Sequence, residues 1–379
     1  MTDAVTGLLS ALPLVDHHCH GVVTTDLDRA ATEAMMSEAD APAPGTTAFD
    51  SPVGLAIRRH CAPVLDLPPH ATPDDYVARR AELGGAESSR RLLRAAGLGT
   101  LLVDTGFHGD ALLDPEQMAE ASDATAHEIV RLESVAEEVA GNGVDPSLFG
   151  AVFADTLAST VRERGAVGVK SVAAYRTGFD LDPAPPSPVE VEAAAGSWLA
   201  RSPTRLDDPV LERLLLWSAV DLGLPIQFHV GFGDSDIRMH RTDPALLTDW
   251  LHRVPARVPV LLLHCYPFMR QAGYLAHVYP NVYLDVGLTL TFAGPGAARP
   301  ILSEALELTP FAKLMFSSDA FGLAELYHLG AHVFREALAA LLDDRVGSGE
   351  WAEQDALRVA EMLGVGNARR VYGLDGDAR

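Results

Sequence analysis

Eight short apolar segments recur along the chain, and most are followed by polar or glycine residues and then by a helical pattern. Their hydrophobicity is continuous rather than alternating, which is typical of strands buried on both faces of a parallel sheet. The segments are 12–20, 98–107, 127–133, 166–175, 224–232, 258–266, 281–288 and 312–320. Eight strands alternating with helices predict an α/β protein with a (β/α)8 TIM barrel. A doubly wound open sheet is the rival, but no glycine-rich phosphate-binding turn follows the first segment.

The segments between these runs carry start and stop signals of helices. Asp-Pro pairs at 114–115, 208–209 and 243–244 suit the N-cap and first position of a helix. Gly165 and Gly223 stand where two amphipathic patterns end. We therefore predict helices within 114–125, 147–165, 207–223 and 243–254.

Residues 24–97 separate the first and second apolar segments and exceed an ordinary barrel loop. Their periodicity is helical with proline-rich breaks, which predicts a helical insertion and a candidate lid over the barrel. The whole chain, 1–379, is interpreted as one barrel domain that contains this insertion.

Composition narrows the classes of protein. The formal net charge of −23 argues against nucleic-acid binding, which requires clustered Lys and Arg, and against anionic membranes. The first residues lack the pattern of a signal peptide, and three cysteines are too few for a disulfide framework. We expect a cytoplasmic protein that acts on a small-molecule substrate. The sequence leaves open whether it forms a homo-oligomer.

Polar side chains stand at the ends of several predicted strands, where barrel enzymes carry their catalytic groups. Positions i and i+2 of a strand point to the same side, so two histidines of the first strand converge while His17 and Cys19 face away. Imidazoles with a carboxylate suit Zn²⁺, with Mn²⁺ or Fe²⁺ as alternatives. The strand-end residues are His18, His20, Lys170, His229, His264 and Asp319.

Simpler roles exist for each residue. A lone histidine at a strand end is more often a hydrogen-bonded polar residue than a ligand, but five ordered positions on one template favour a metal site. Asp16 either orients a histidine ligand or is a plain strand-end hydrogen bonder. Cys19 and Cys265 are interpreted as core thiols.

The motifs "VDHHCH", "FHVGFGD", "LLHCYP" and "FSSDA" resemble the metal-binding strand ends of the amidohydrolase superfamily. With "VKSVAAYRTGFD" they are similar to the amidohydrolase-type domain that precedes glutamine synthetase in fungal and plant nodulin-type fusion proteins. The chain ends without a glutamine synthetase portion, so we expect the stand-alone form.

The resemblance implies roles for the strand-end residues. His18, His20 and Asp319 would hold a first metal, with His229 completing that shell. In binuclear relatives His229 and His264 hold a second metal, and a carboxylated Lys170 bridges the two. Asp319 would take the proton of the attacking water, and His264, if it is not a ligand, would orient that water or stabilise an oxyanion. Lys170 could instead pair with an acid or bind a substrate carboxylate.

Candidates for substrate binding carry weaker signals. Arg176 could clamp a carboxylate or form an ion pair with an acid of the protein, and Arg131 is similarly ambiguous. Asp234 could contact a substrate amine or shape the turn after His229. Arg58 and His60 lie in the insertion and are further candidates.

Three functions compete. The first is metal-dependent hydrolysis of a C–N amide bond in a small polar substrate, and the resemblance to glutamine synthetase fusions suggests a γ-glutamyl or glutamine-like compound. The second is metal-dependent decarboxylation or C–C hydrolysis of a small carboxylic acid. The third is a non-catalytic regulatory barrel, against which the complete set of ligand residues argues.

Overall fold

The computed structural model describes residues 3–107, 111–201 and 205–374. Its strands form one eight-stranded sheet in which each strand lies beside the next in sequence. They are β1 Leu14–Cys19, β2 Leu98–Asp104, β3 Thr125–Arg131, β4 Gly168–Ser171, β5 Ile226–Val230, β6 Val260–His264, β7 Val282–Asp285 and β8 Leu314–Met315. Each overlaps one of the eight apolar segments, and the predicted (β/α)8 barrel is confirmed.

Helices occupy the stretches between the strands. Numbered α1 to α17 in chain order, they are Asp3–Ala11, Arg29–Ala34, Pro52–Ala56, Pro73–Leu83, Gly85–Ala95, Pro115–Ser122, Leu132–Gly141, Phe149–Arg164, Pro188–Leu199, Pro209–Leu222, Thr248–Leu251, Met269–Val278, Gly287–Ala293, Pro295–Ala305, Ala324–Gly347, Glu353–Glu361 and Asn367–Tyr372. The helix predicted within 243–254 is present as a 3₁₀ turn over Pro244–Leu247, capped by Asp243, that continues directly into the single turn of α11.

The cap residues explain several helix ends. The Asp114 carboxylate accepts the backbone N–H of Gln117 at 2.8 Å, and the Gln117 side chain accepts the N–H of Asp114 at 3.0 Å, which forms a capping box. The Asp208 carboxylate caps α10 by accepting the backbone N–H groups of Val210 and Leu211, without a reciprocal bond. Gly165 and Gly223 end α8 and α10 in the left-handed conformation that favours glycine. These helix boundaries follow the sequence signals.

One compact unit comprises Met1–His127 and Asp285–Arg379. In it β1 pairs in parallel with β2. The His17 N–H donates to the Phe316 carbonyl at 3.3 Å, and the Asp319 N–H donates to the His18 carbonyl at 3.0 Å. The segment after β8 therefore runs along β1 and brings the two strand ends side by side.

Residues 24–97 belong to this unit, and α2 to α5 lie within them. A buried ion pair joins α4 to α15, with Arg80 Nε 2.9 Å from Glu325 Oε1. The Tyr76 hydroxyl donates to the same oxygen at 3.0 Å. Since unpaired buried charges are costly, these contacts fasten α4 onto α15.

The second compact unit is Glu128–Leu284. Its strands β4, β5 and β6 pair in parallel, with Lys170 opposite Gln227 and Val230 opposite His264. This register places polar side chains at neighbouring strand ends, as in other barrels whose loops carry function.

Two further features of the structure concern the cysteines and the lengths of the apolar helices. All three cysteines are buried thiols that form no disulfide. Within the described ranges, the structure contains no helix that is both long and apolar enough to cross a bilayer.

Candidate metal centre

His18 and His20 lie at the C-terminal end of β1, and their rings face one carboxylate. Nε2 of His18 is 3.0 Å from Asp319 Oδ1, and Nε2 of His20 is 3.5 Å from the same oxygen. His18 is fully buried and His20 is 8% exposed. The alternation of side chains along β1 and its extension thus brings both imidazoles to one point, as the sequence predicted.

The tautomer of His20 follows from its second nitrogen. Nδ1 of His20 lies 3.0 Å from the backbone carbonyl oxygen of Asp104. A carbonyl only accepts hydrogen bonds, so Nδ1 carries the proton and Nε2 of a neutral ring carries a lone pair. That lone pair faces the carboxylate oxygen of Asp319, which also lacks a proton when ionised. Two electron-pair donors face each other, an arrangement that a bound cation would stabilise.

Asp104 is a residue that the sequence analysis missed. It ends β2 and is buried, and its carboxylate lies near the two histidines: one potential ligand atom from each of His18, His20 and Asp104 lies within 4.8 Å of the others. One Asp104 carboxylate oxygen also accepts the N–H of Gly106 at 2.9 Å. The sequence feature that could have identified Asp104 is its place as an acid near the end of the second apolar segment.

A buried network holds the backbone around Asp319. Asp16 Oδ1 accepts the Ser318 N–H at 2.8 Å, and Asp16 Oδ2 accepts the Ser318 hydroxyl at 2.5 Å. Burial raises the pKa of Asp16 to about 7, although the hydrogen bonds from Ser318 oppose the shift. Asp319 itself has a φ of 48°, a left-handed conformation that is uncommon for a non-glycine residue. Asp16 is therefore a strand-end hydrogen bonder that supports Asp319.

The residues alternating with the two histidines point elsewhere. Nε2 of His17 is 2.9 Å from Asp285 Oδ2, and its Nδ1 is 3.1 Å from the Tyr372 hydroxyl. The Cys19 thiol contacts the Leu102 carbonyl at 3.5 Å, and burial raises the pKa of this thiol well above its usual range. A thiol in this state is a packing group rather than a thiolate ligand.

Two further residues that the sequence predicted as functional, His229 and His264, lie in the second compact unit. The ring centroids of His229 and His264 are 4.7 Å apart, and the Tyr175 ring lies 4.5 Å from that of His229. Nε2 of His229 is 2.9 Å from the Phe232 carbonyl oxygen. His264 and Cys265 both have a positive φ, of 67° and 61°. Strained backbone of this kind is concentrated at functional sites in proteins.

Two glycines make the loop after β5 possible. A Cβ atom on Gly231 would lie 2.0 Å from the Tyr266 carbonyl oxygen, and the φ of Gly231 is 78°. A Cβ atom on Gly233 would lie 2.3 Å from the Tyr175 hydroxyl and 3.0 Å from His229 Nε2. Only glycine fits at 231, where a side chain would meet the backbone, whereas a Cβ atom at 233 would require the Tyr175 hydroxyl and the His229 ring to shift.

Lys170 is buried, with 2% exposure, on β4. The strand end beyond it is held by Glu133, whose Oε1 accepts the Ser171 hydroxyl and the Val172 N–H, each at 2.8 Å. Glu133 was also absent from the sequence predictions, because nothing in the pattern of α7 separates it from neighbouring surface acids.

The three candidate substrate-binding residues lie in different settings. Arg176 Nη2 is 3.1 Å from Glu137 Oε1 in a half-buried ion pair, and burial lowers the pKa of this guanidinium. Arg131 ends β3, opposite Lys170 in the register. Asp234 Oδ1 accepts the Asp236 N–H at 2.9 Å, which shapes the turn. Arg176 therefore has an ion-pair partner within the protein, and Asp234 stabilises the turn after β5.

The donor set of the first unit fits a divalent metal. His18, His20, Asp104 and Asp319 are buried or nearly so and supply two imidazole nitrogens and two carboxylates. This borderline nitrogen and oxygen set is typical of Zn²⁺, Mn²⁺ and Fe²⁺ sites. The four donors come from β1 and the residue that follows it, from the end of β2 and from the segment after β8.

Comparison with known proteins agrees with this geometry. A family model described as amidohydrolase matches residues 15–374. Protein fluG of Emericella nidulans is 29% identical over 97% of this chain, which spans 46% of that protein's length. A solved structure from Lactobacillus casei, described as a metal-dependent hydrolase, is 29% identical with a TM-score of 0.87 and covers 99% of each chain. Uronate isomerase of Thermotoga maritima has a TM-score of 0.66 at 12% identity over 97% of this chain and 96% of its own, which shows a shared fold alone.

Proposed function

The chain belongs to the amidohydrolase family, and from this premise we propose that it is a metal-dependent enzyme that hydrolyses a C–N amide bond in a small polar substrate. The cofactor proposed is a divalent metal, most favourably Zn²⁺. The observation that carries the proposal is the opposition of His20 Nε2 and Asp319 Oδ1 at 3.5 Å, with the proton of His20 held at Nδ1 by the Asp104 carbonyl.

His18, His20 and Asp319 are the proposed metal ligands, and Asp104 is a further oxygen donor. A divalent ion in this position would lower the pKa of a bound water toward 7 and so supply a nucleophile at neutral pH. The low exposure of the two imidazoles excludes competing solvent and strengthens their electrostatic interactions.

Asp319 is also the proposed general base. Its side chain is about 10% exposed, so it remains accessible to a substrate while its backbone is held by Ser318 and Asp16. In this role Asp319 accepts the proton of the attacking water at a carboxylate oxygen and returns it to the leaving amine.

We extend the proposal to Lys170, His229 and His264, because in (β/α)8 barrels catalytic residues come from the C-terminal ends of several strands. In this extension His229 is a ligand, His264 is either a ligand or the group that orients the water, and Lys170 is either a bridging ligand or a contact for a substrate carboxylate. Arg131, Arg176 and Asp234 remain proposed substrate contacts, with Arg176 exchanging Glu137 for substrate.

The test is a pair of variants measured for metal content and turnover. We expect Asp319→Asn to lower kcat by at least about 100-fold, since general acid–base catalysis contributes about 10²–10⁴-fold. His20→Ala should lower the affinity for the metal. Asp355→Asn, on the exposed face of α16, is the matched control and should leave both quantities unchanged. Full activity in Asp319→Asn would refute its role.

The products distinguish hydrolysis from its rivals. We expect ammonia or an amine to be released from a panel of γ-glutamyl and other small amides. Release of CO2 from a panel of small carboxylic acids would favour a decarboxylase instead. A protein that binds no divalent metal would contradict both enzymatic functions and favour a regulatory barrel.

A further inference from the structure

Phe107 and Phe321 form an aromatic pair against the ring of His20. The centroid of the Phe107 ring lies 6.2 Å from that of the His20 ring, and the Phe321 centroid lies 6.0 Å from it. The two phenyl centroids are 5.0 Å apart, so the three rings form a triangle. Both phenyl rings meet the imidazole at steep interplanar angles, 63° and 78°, as favourable edge-to-face contacts do.

The segments that carry the two carboxylates of the metal centre also place these rings. Phe107 follows Asp104 by three residues, after a turn in which the Gly106 N–H donates to the Asp104 carboxylate at 2.9 Å. Phe321 follows Asp319 by two residues, on a stretch whose backbone is hydrogen-bonded to the residues after β1. The aromatic pair is therefore fixed relative to the proposed metal ligands.

Apolar surface around the pair is accessible to solvent. Phe107 is 41% exposed, and its partner is partly exposed. A Cβ atom on Gly322 would lie 2.8 Å from Sδ of Met35 in the insertion, and a Cβ atom on Gly21 would lie 2.8 Å from Cβ of Leu112. Met35 and Leu112 are partly exposed as well. Apolar side chains around a few convergent polar groups are typical of the sites where proteins bind small molecules.

The chemistry of the pair selects an uncharged ring. Neither phenyl group can donate or accept an ordinary hydrogen bond, so a polar group placed against the pair would lose its hydration without compensation. A third aromatic ring gains both apolar burial and the favourable geometry of ring pairs, whose centroids lie about 4.5–7 Å apart. An aliphatic group would gain the burial alone.

We propose that Phe107 and Phe321 form a subsite for an aromatic ring attached to the scissile amide. This inference rests on the proposed function, because it takes the amide to be cleaved at a metal held by His18, His20 and Asp319. Hydrolysis of such an amide consumes one water and yields a carboxylic acid and an amine. The substrate is then a small amide with a polar part for the metal centre and a ring for the aromatic pair.

The experiment compares two hydroxamates, which bind divalent metals through two oxygens and need no turnover. Titration calorimetry measures the Kd of benzohydroxamate and of acetohydroxamate for the Zn²⁺-loaded full chain. The variants are Phe107→Ala, Phe107→Leu and the control Tyr274→Ala, which removes an aromatic ring that is 52% exposed on α12. We expect the unaltered protein and the control to prefer benzohydroxamate by at least about 10-fold, as packing in an apolar pocket allows.

Phe107→Ala should lose most of that preference, and Phe107→Leu should lie between it and the unaltered protein. Equal affinities of the two hydroxamates for the unaltered protein would overturn the proposal and leave the metal centre intact. An undiminished preference in Phe107→Leu would overturn the assignment to an aromatic ring. If neither hydroxamate binds the unaltered protein, the proposed function fails, and this inference fails with it.

Metal content separates the subsite from a merely supporting role against His20. Elemental analysis should find the same bound Zn²⁺ in Phe107→Ala as in the unaltered protein. Loss of Zn²⁺ from that variant, or an equal weakening of both hydroxamates, would mean that the pair only holds the metal ligand, and the proposal would be wrong. Phe321→Leu, measured in the same way, should also reduce the preference for benzohydroxamate, and an unchanged preference there would contradict the part assigned to Phe321.

Discussion

Glu133 and Glu212 form a buried pair of acids in the second compact unit, and replacing Glu212 by Gln tests how that pair is ionised. Both side chains are fully buried. Among the described residues, no group donates a hydrogen bond to either carboxylate oxygen of Glu212. The same is true of Oε2 of Glu133. Burial, and then the neighbouring charge of Glu133, raises the pKa of Glu212 well above its ordinary value of 4.5. The native protein therefore keeps a proton on this pair to a higher pH than the unfolded chain does.

The sign of the effect on stability follows from that proton. The unfolded chain loses it as the pH rises through about 4.5, whereas the folded protein retains it. Each pH unit above this point lowers the free energy of unfolding by about 1.4 kcal/mol until the folded-state pKa is reached. One retained proton therefore lowers the stability steadily over the pH range between the unfolded-state pKa and the raised folded-state pKa.

Glu212→Gln should remove this pH dependence, because the Gln amide can donate to Glu133 without titrating. The assay is urea unfolding at pH 6, 7 and 8. Glu192→Gln, on the exposed side of α9, is the matched control and should follow the unaltered protein. We expect the free energy of unfolding of Glu212→Gln to fall less with rising pH than that of the other two proteins, by at most about 1.4 kcal/mol per pH unit.

Parallel pH profiles for Glu212→Gln and the unaltered protein would refute the reasoning. They would mean that the pair does not retain a proton that the unfolded chain loses. The result bears on the barrel because Glu133 holds Ser171 and Val172, directly after Lys170.

Two other substitutions have defined outcomes. Arg80→Ala leaves Glu325 buried without its cationic partner, although the Tyr76 hydroxyl still donates to it, so the free energy of unfolding, measured by urea titration, should fall by about 3–5 kcal/mol. Gly233→Ala places a Cβ atom 2.3 Å from the Tyr175 hydroxyl and 3.0 Å from His229 Nε2. It should lower kcat/KM by up to about 100-fold in the amide assay, as misplacement of a functional group by an ångström can do.

Each substitution has a control in the same class. Arg162→Ala removes an arginine that is 72% exposed and should change stability by less than about 1 kcal/mol. An Arg80→Ala protein as stable as Arg162→Ala would show that the buried ion pair does not anchor the insertion. Gly141→Ala adds a Cβ atom with nothing within 4 Å and should keep full activity. Equal activity of Gly233→Ala and Gly141→Ala would contradict a functional position for His229.

The barrel could be predicted from sequence because its strands are buried on both faces. That burial produces continuous apolar runs, and the alternation of side chains then assigns His18 and His20 to one side and His17 and Cys19 to the other. Helix ends could also be predicted where the capping residue is adjacent in sequence to the helix, as at Asp114 and Gly223. The segment 243–254 shows the limit, because a favourable cap marks where a helix begins without determining whether its first turn is 3₁₀ or α.

Contacts between distant segments could not be predicted in this way. Asp104 approaches His18 and His20 only because β1 and β2 are neighbours, and its own sequence context is that of any acid after a strand. Arg176 meets Glu137 across 39 positions of sequence, a partner that no local pattern identifies. The same applies to His60 and His332, whose proximity depends on how the insertion packs on α15.

The most direct test of the central claim is anomalous diffraction from crystals of the protein grown with Zn²⁺, recorded on both sides of the zinc absorption edge. The account predicts a zinc peak within bonding distance of His18, His20 and Asp319, at about 2.0–2.2 Å from each donor atom. The same peak should be lost in crystals of His20→Ala. If crystals grown in the presence of Zn²⁺ show no zinc peak between these three residues, the account is contradicted.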